Sequence, residues 1–356
     1  MQVSWQLTTT AANRVEPAPT PEAILRRPGW LAFTSSAAIL ILELVAERLI
    51  APHVGVSLYT WTSIIGIVLA GISLGNYLGG RLADRWASLR LLGVVFLLAG
   101  LACLPILGVD DVSGLTPGGW PIIADILVLV TVLFFVPSTS LGMVSPSVAK
   151  MAVRDLAETG STVGKIYAAG AAGSIVGTFA TGFVLISWLG TRTIVLGVAL
   201  TLATIGLLFI LIQRRRVLVG ALLVVGLLSA FAISNGVLQS SCLMETNYFC
   251  IKVDDRELAG KPVRVLVLDR LVHSFSSLDN PALLVYAYER MYAEATAYQN
   301  ERSEKNLAAF FIGGGGYTFP RYMEAEYPDS QLDVVEIDPG VTQVAYDRLG
   351  SVSYTH

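Results

Sequence analysis

Val68-Leu-Ala-Gly-Ile-Ser-Leu-Gly75-Asn-Tyr-Leu-Gly-Gly80-Arg81 carries a small residue at every fourth position, Gly71, Gly75 and Gly79, inside an uncharged run that begins near residue 57. Residues four apart lie on one face of a helix. About twenty consecutive apolar residues are enough to carry a helix across the hydrocarbon core. A strip of glycines on such a helix lets a second backbone approach closely, in a medium where packing rather than water expulsion drives association. Glycines acting as hinges of a moving transporter would give the same pattern. Both readings make this stretch part of a bundle of membrane helices.

The rest of the chain agrees with it up to about residue 240. Seven apolar runs qualify as spans, roughly 30–50, 57–80, 90–108, 121–146, 164–189, 193–213 and 217–237. The fourth contains Pro137 and Pro146, which predict a kink or break, and the last two are separated by Arg214-Arg-Arg216, which suits a tight turn at the lipid surface. The fifth repeats the glycine pattern with Gly170, Gly173, Gly177 and Gly182. Overall the 356 residues are 54% hydrophobic and 14% charged, with the apolar excess confined to the first two thirds. The net charge of −3 gives no reason to expect a nucleic-acid partner. Three Cys and three His show no zinc-ligand spacing. Residues 1–29 are polar and proline-rich and read as a disordered tail, without the short apolar segment and cleavage site of a signal peptide.

Loop charge predicts orientation. Arg26 and Arg27, then Arg81, Arg85 and Arg90, then Lys150, Arg154 and Lys165, then the triple Arg fall on alternate connections, whereas the opposite loops hold Asp110 and Asp111 and little beyond Arg192. The basic loops are therefore expected in the cytoplasm. Seven spans then place everything after residue 240 outside it, on a protein of the cell membrane. Glu43 and Glu47, next to Arg48, share a face of the first helix. An intramembrane carboxylate is costly and points to a functional site. The alternative is that Glu47 and Arg48 sit at the interface while Glu43 bonds a neighbouring helix.

Residues 241–280 alternate in short β-like runs, Tyr248–Val253 and Val263–Leu268, with Asp254-Asp-Arg-Glu and Ala259–Pro262 read as turns. Pro281 is expected to open a helix of about twenty residues. Leu307–Ile312 then reads as a strand covered on both faces. It is followed by the turn Gly313-Gly314-Gly315-Gly316, a helix from about Phe319 to Glu326, and a second strand, Leu332–Ile337. Asp338-Pro339 has the form of an N-cap and first helical residue. Glycines permit positive φ and let a ligand approach the backbone. The third glycine of a dinucleotide fingerprint is missing, so the turn, with Glu336 ending the second strand, suits a nucleoside whose ribose hydroxyls a carboxylate can accept. Cys242 and Cys250 flank Glu245–Tyr248. They read either as two small buried residues or, given the outside placement, as a disulfide.

Two resemblances follow from these residues. Gly80-Arg-Leu-Ala-Asp84-Arg85 resembles the loop signature of major facilitator transporters. Glu245-Thr-Asn-Tyr248, Val265-Leu-Val-Leu-Asp269, Ile312–Gly316 and Val335-Glu-Ile-Asp338 stand in the order found in spermidine synthases. With Glu43-Leu-Val-Ala, Ala51-Pro52, Tyr59-Thr-Trp61 and Leu69–Arg85, the chain from about residue 30 resembles fused membrane/spermidine-synthase-like proteins.

That resemblance implies aminopropyl transfer from decarboxylated S-adenosylmethionine, a co-substrate and not a tightly bound cofactor, to a diamine such as putrescine. Gly313, Gly314, Gly315, Gly316, Glu336 and Asp338 would hold the donor, with Tyr248 and His273 near the substrate. Three departures accompany it. Gly316 stands where the family has Asp, His273 where it has Gln, and Tyr288-Glu289 lacks the intervening His. The family's catalytic Asp after a fourth strand is absent from the sequence, so the expectation is a truncated or relic domain.

The architecture expected is thus an α-helical multi-pass bundle over 30–240, then α/β: a small antiparallel sheet over 241–280 and the start of a Rossmann-like domain over 281–356. The alternative function is a non-catalytic, polyamine- or nucleoside-binding sensor or transporter-like protein. The expected partners are the lipid bilayer and a small polyamine or nucleoside.

Overall fold

The computed structural model describes residues 28–113, 120–153, 156–212, 214–234, 236–258, 260–302 and 306–351. The amino-terminal tail, with Arg26 and Arg27, and Arg154 lie outside the described residues. Six helical stretches are long and apolar enough to cross a membrane, and a small antiparallel sheet follows them. The protein is a multi-pass membrane protein.

The helices are α1 (Gly29–Val54), α2 (Leu58–Trp86), α3 (Leu89–Ala102), α4 (Val109–Ser113), α5 (Ile122–Gly142), α6 (Val144–Ala152), α7 (Thr159–Ala180), α8 (Ile186–Leu189), α9 (Thr191–Leu211) and α10 (Arg215–Ser234). Ser57 and Ser88 fix the starts of α2 and α3, each side-chain oxygen accepting the backbone N–H three residues on, Thr60 and Leu91, at 3.2 Å. The third span is not one α-helix. It tightens into a 3₁₀ segment, Leu104–Gly108, with Pro105 in its first turn, before α4. The fourth span breaks at Met143, three residues before Pro146, whereas Pro137 lies inside α5. The seventh apolar run is helical over 20 residues as α10, with Arg216–Leu227 as its apolar segment.

The glycine strips lie where helix backbones meet. A Cβ at Gly71 would fall 2.9 Å from Ser138 Cβ. One at Gly75 would fall 2.9 Å from Gly142 Cα, so α2 lies directly on α5. At Gly173 and Gly177 it would fall 2.8 Å from Phe33 Cα and 3.0 Å from Ala37 Cα, pinning α7 to α1. Gly182 has open space around it and takes no part. The bundle core fills with Leu31, Ile50, Ile64, Phe96, Leu133 and Phe134, each essentially buried.

Four strands form the antiparallel sheet in chain order: β1 (Met244–Glu245), β2 (Cys250–Leu258), β3 (Lys261–Leu268) and β4 (Leu271–Ser276). Asp254-Asp-Arg-Glu is not a turn. It continues β2, with Asp255 opposite Arg264 and their side chains paired at 3.1 Å, and the reversal comes at Gly260 with φ +77°. Charged residues are tolerated there because this end of β2 is exposed.

Next come α11 (Ala287–Arg302), β5 (Ala308–Ile312), α12 (Thr318–Glu326), β6 (Gln331–Val335) and α13 (Pro339–Arg348), with β5 and β6 parallel. The helix expected from Pro281 starts only at Ala287. Residues before it follow the sheet surface, where Tyr286 donates its hydroxyl to Val272 O at 3.0 Å. Nor is β5 covered on both faces. Phe310 and Ile312 are 64% and 88% exposed, and only the alternate residues pack inward. The inward core joins Ile251, Leu266 and Leu268 of the antiparallel sheet to Tyr317, Met323, Val341 and Val344.

Several polar contacts fasten this part to the bundle. Arg48 of α1 donates to the carbonyls of Tyr248, at 2.6 Å, and Thr246. Glu245 Oε2 accepts the N–H and the hydroxyl of Thr191, both at 3.0 Å, at the start of α9. Arg270 reaches Val54 O at 3.4 Å. Beneath them Asp110 bridges His53 at 3.1 Å and Arg192 at 2.5 Å, while Arg192 also donates to Leu107 O and Val237 O. Lys150 pairs with Asp84 at 2.8 Å, between the ends of α6 and α2. Cys242 and Cys250 are joined by a disulfide, Cα–Cα 5.3 Å.

Candidate functional site

The glycine turn sits at the carboxyl end of β5, beside Glu336 at the end of β6. Gly313 and Gly315 take φ of +88° and +51°, values that a side chain would strain. These conformations turn amide N–H groups toward β6, and Glu336 captures them. Its Oε2 accepts from Gly314 N at 2.7 Å and Gly315 N at 3.2 Å, and its Oε1 accepts from Asp338 N at 3.1 Å. A carboxylate offers roughly four lone-pair sites, so most of Glu336's capacity is directed at its own backbone. A ribose would have to exchange with those bonds.

Around the turn lies a cavity of about 460 Å³ walled by Phe249, Tyr288, Tyr292, Phe311 and Phe319. His273 lines it too, its Nδ1 2.9 Å from Leu271 O. Glu289 contributes a buried carboxylate that accepts the Tyr286 N–H at 3.1 Å. Burial raises its pKa from the ordinary carboxylate range, against the opposing effect of its backbone hydrogen bonds. Burial, then the Glu289 charge, raises Tyr288 in turn. Neither Lys nor Arg is among the described residues lining the cavity, so its charge is acidic.

Gly316 is closely constrained. A Cβ there would stand 2.6 Å from Ser274 Cβ and closer still to its hydroxyl. Ser274 is 3% exposed, lines the same cavity, and its Oγ has no hydrogen-bond partner among the described residues. Ser274 thus occupies the volume that an acid at position 316 would need. The sequence contains no signal for this, because Ser274 lies in β4 and Gly316 in the turn after β5.

The remaining sequence candidates lie elsewhere. Asp338 is buried, and its carboxylate accepts from Gly340 N at 2.9 Å and Thr246 Oγ1 at 2.6 Å. It caps α13 and ties that helix to the β1–β2 turn. Tyr248 lines a second cavity, between α1 and the sheet, together with Glu47. Asp269 lines the same cavity. Glu43 is half-buried within α1.

Comparison with protein-family models, curated proteins and solved structures finds no match to this chain.

Proposed function

We propose that the chain is a membrane-anchored, spermidine-synthase-like protein whose carboxyl-terminal part is a Rossmann-like nucleoside-binding unit. The observation that carries this reading is the Glu336–glycine-turn pair at the carboxyl ends of two parallel strands, opening on an aromatic, acidic cavity. Ligands of open α/β sheets bind at that edge. Aromatic walls and carboxylates suit a sulfonium nucleoside such as decarboxylated S-adenosylmethionine. In aminopropyl transfer the amine nitrogen of a diamine forms a bond to the carbon beside the sulfonium. The carbon–sulfur bond breaks with its electrons to sulfur, leaving methylthioadenosine, and the amine proton passes to a base. We assign to Glu289, a carboxylate lining the cavity, the orienting of that amine.

A second reading, a nucleoside- or polyamine-binding sensor or transporter-like protein, is favoured by Gly316. Ser274 fills the place of the acid the transferase family has there. Purified full-length chain given decarboxylated S-adenosylmethionine and putrescine separates the two. Release of methylthioadenosine supports transfer, binding of either compound without release supports the sensor, and the absence of any binding of nucleoside or putrescine refutes both.

We also infer seven crossings, with the carboxyl-terminal part outside the cytoplasm. Arg192, at the start of α9, bonds Val237 O, just beyond α10, so α10 returns the chain to the face from which α9 set out. The contacts to the soluble part are on this face. Arg81, Arg85, Arg90, Lys150 and Lys165 belong to the opposite ends of the helices. A reporter fused after His356 and active in the cytoplasm would refute the assignment.

A further inference from the structure

We propose that the cavity between α1 and the antiparallel sheet holds the headgroup of a zwitterionic, amine-bearing phospholipid. The site is separate from the glycine cavity and does not depend on what that cavity binds. It is about 590 Å³ in volume and lies between the last two turns of α1, the Gly55-Val56 link and the β3–β4 turn. At 1.5 Å per residue, α1 is roughly 39 Å long against a hydrocarbon core of about 30 Å. Its last turns therefore stand at headgroup depth.

The lining carries both signs of charge. Glu47 and Asp269 line it, and Arg48 and Arg270 line the same space. Arg48 is held by the Thr246 and Tyr248 carbonyls, whereas Arg270 is exposed and donates to Val54 O with one arm of a guanidinium that has five N–H donors. Two acids and two bases give a neutral lining. A lone anion would meet the two carboxylates and a lone cation the two guanidiniums. A zwitterion meets both signs, with its phosphate toward Arg270 and its ammonium between Glu47 and Asp269, while Arg48 stays on its carbonyls. Tyr248 adds an aromatic face for the ammonium.

The mouth fits the rest of such a lipid. Val56, Ile122 and Leu271 line the cavity and are 57%, 42% and 68% exposed. Apolar side chains left open at the rim of a charged cavity are costly in water and favourable against glycerol and acyl chains. Leu271 belongs to the sheet, not to a spanning helix, and its exposure on this side is what an acyl-chain contact would explain.

The test uses the purified full-length chain in detergent, titrated with phosphatidylethanolamine, phosphatidylglycerol, diacylglycerol or water-soluble glycerophosphoethanolamine, with retained ligand read by native mass spectrometry. Phosphatidylethanolamine should be retained about tenfold over the other two lipids, and Arg270→Gln or Glu47→Gln should reduce its retention by about tenfold. Glycerophosphoethanolamine should compete weakly. Equal retention of the three lipids would overturn the proposal, as would undiminished retention in both variants. Binding of glycerophosphoethanolamine as tight as that of the lipid would assign the site to a free phosphoamine instead. If a variant fails to fold, the lipid comparison on the unaltered chain still decides.

Discussion

Glu245 accepts two hydrogen bonds from Thr191, one from the backbone and one from the hydroxyl, across 54 residues of sequence. Thr191 begins α9 after Gly190, which has no side chain to cap the helix. The first N–H groups of a helix have no partner within it and carry its positive end. A carboxylate from the antiparallel sheet therefore completes a membrane helix. Arg48 on the Thr246 and Tyr248 carbonyls and Thr246 on Asp338 act alongside it. Glu245-Thr-Asn-Tyr248 is thus the joint between the bundle and the part that carries the sheets.

The first prediction concerns that joint. Glu245→Ala removes the cap and should cost about 1–2 kcal/mol of stability. Glu245→Gln keeps an acceptor oxygen and should cost less. Thermal unfolding in detergent measures both, and an alanine variant as stable as the parent would show that the contact is incidental.

The glycine strips make a paired prediction. Gly173→Ala drives a methyl into the Phe33 backbone, which cannot rotate away, and should cost about 1–3 kcal/mol. Gly182→Ala meets open space and should leave stability unchanged or slightly raised. Equal effects at the two positions would mean that α1 and α7 are not packed backbone to backbone.

The disulfide closes a short loop, with a separation of 8 residues. On the chain-entropy account a loop this short is worth roughly 2–3 kcal/mol. Cys242→Ser with Cys250→Ser should lower the unfolding temperature and loosen β1 against β2. In the unaltered chain, alkylation by a thiol reagent should require reduction at both positions, while Cys103 stays buried and unlabelled until unfolding.

Where the sequence was legible, the signal was one-dimensional. Length without charge identifies a span, so the six long apolar helices follow directly from their runs, and the run after the triple Arg is helical as α10, with a shorter apolar segment. The order strand, glycine turn, helix, strand, acid is equally local, and it brought Gly314, Gly315 and Glu336 together. What was not legible depends on partners remote in the chain. Asp254–Glu257 looks like a turn until Arg264 stands opposite Asp255. Phe310 and Ile312 look like core residues until their face is seen to be open. The hydroxyl of Ser274 beside Gly316 belongs to the same class, since only the fold sets β4 against the glycine turn.

That last contact can be tested by exchange. Gly316→Asp alone should destabilise the turn by about 1–3 kcal/mol, because the added side chain has no room beside Ser274. Ser274→Gly in the same chain should recover much of the loss. The double variant should bind decarboxylated S-adenosylmethionine more tightly than the parent, since the new carboxylate can pair with the ligand's ammonium. Calorimetric titration reads the affinity. Recovery of stability without any gain in affinity would separate the packing relation from the proposed ligand.

Glu289 sets the pH dependence. Its folded pKa is raised above the ordinary value of 4.5, chiefly because burial penalises the charged form. Between the unfolded and folded values the native state therefore holds more protons than the unfolded state, and stability falls as pH rises through that window. Below it, with the carboxyl protonated in both states, the penalty is absent. Glu289→Gln cannot ionise, yet it keeps an oxygen to accept the Tyr286 N–H. The variant should lose this part of the slope, so that the stability difference, variant minus parent, grows with pH above about 4.5 and then levels off. Urea or thermal unfolding measured from about pH 4 to about pH 8 reads the difference. A difference that stays flat across the range would mean that Glu289 ionises in the folded protein as it does in the unfolded chain, in a cavity wet enough to solvate it.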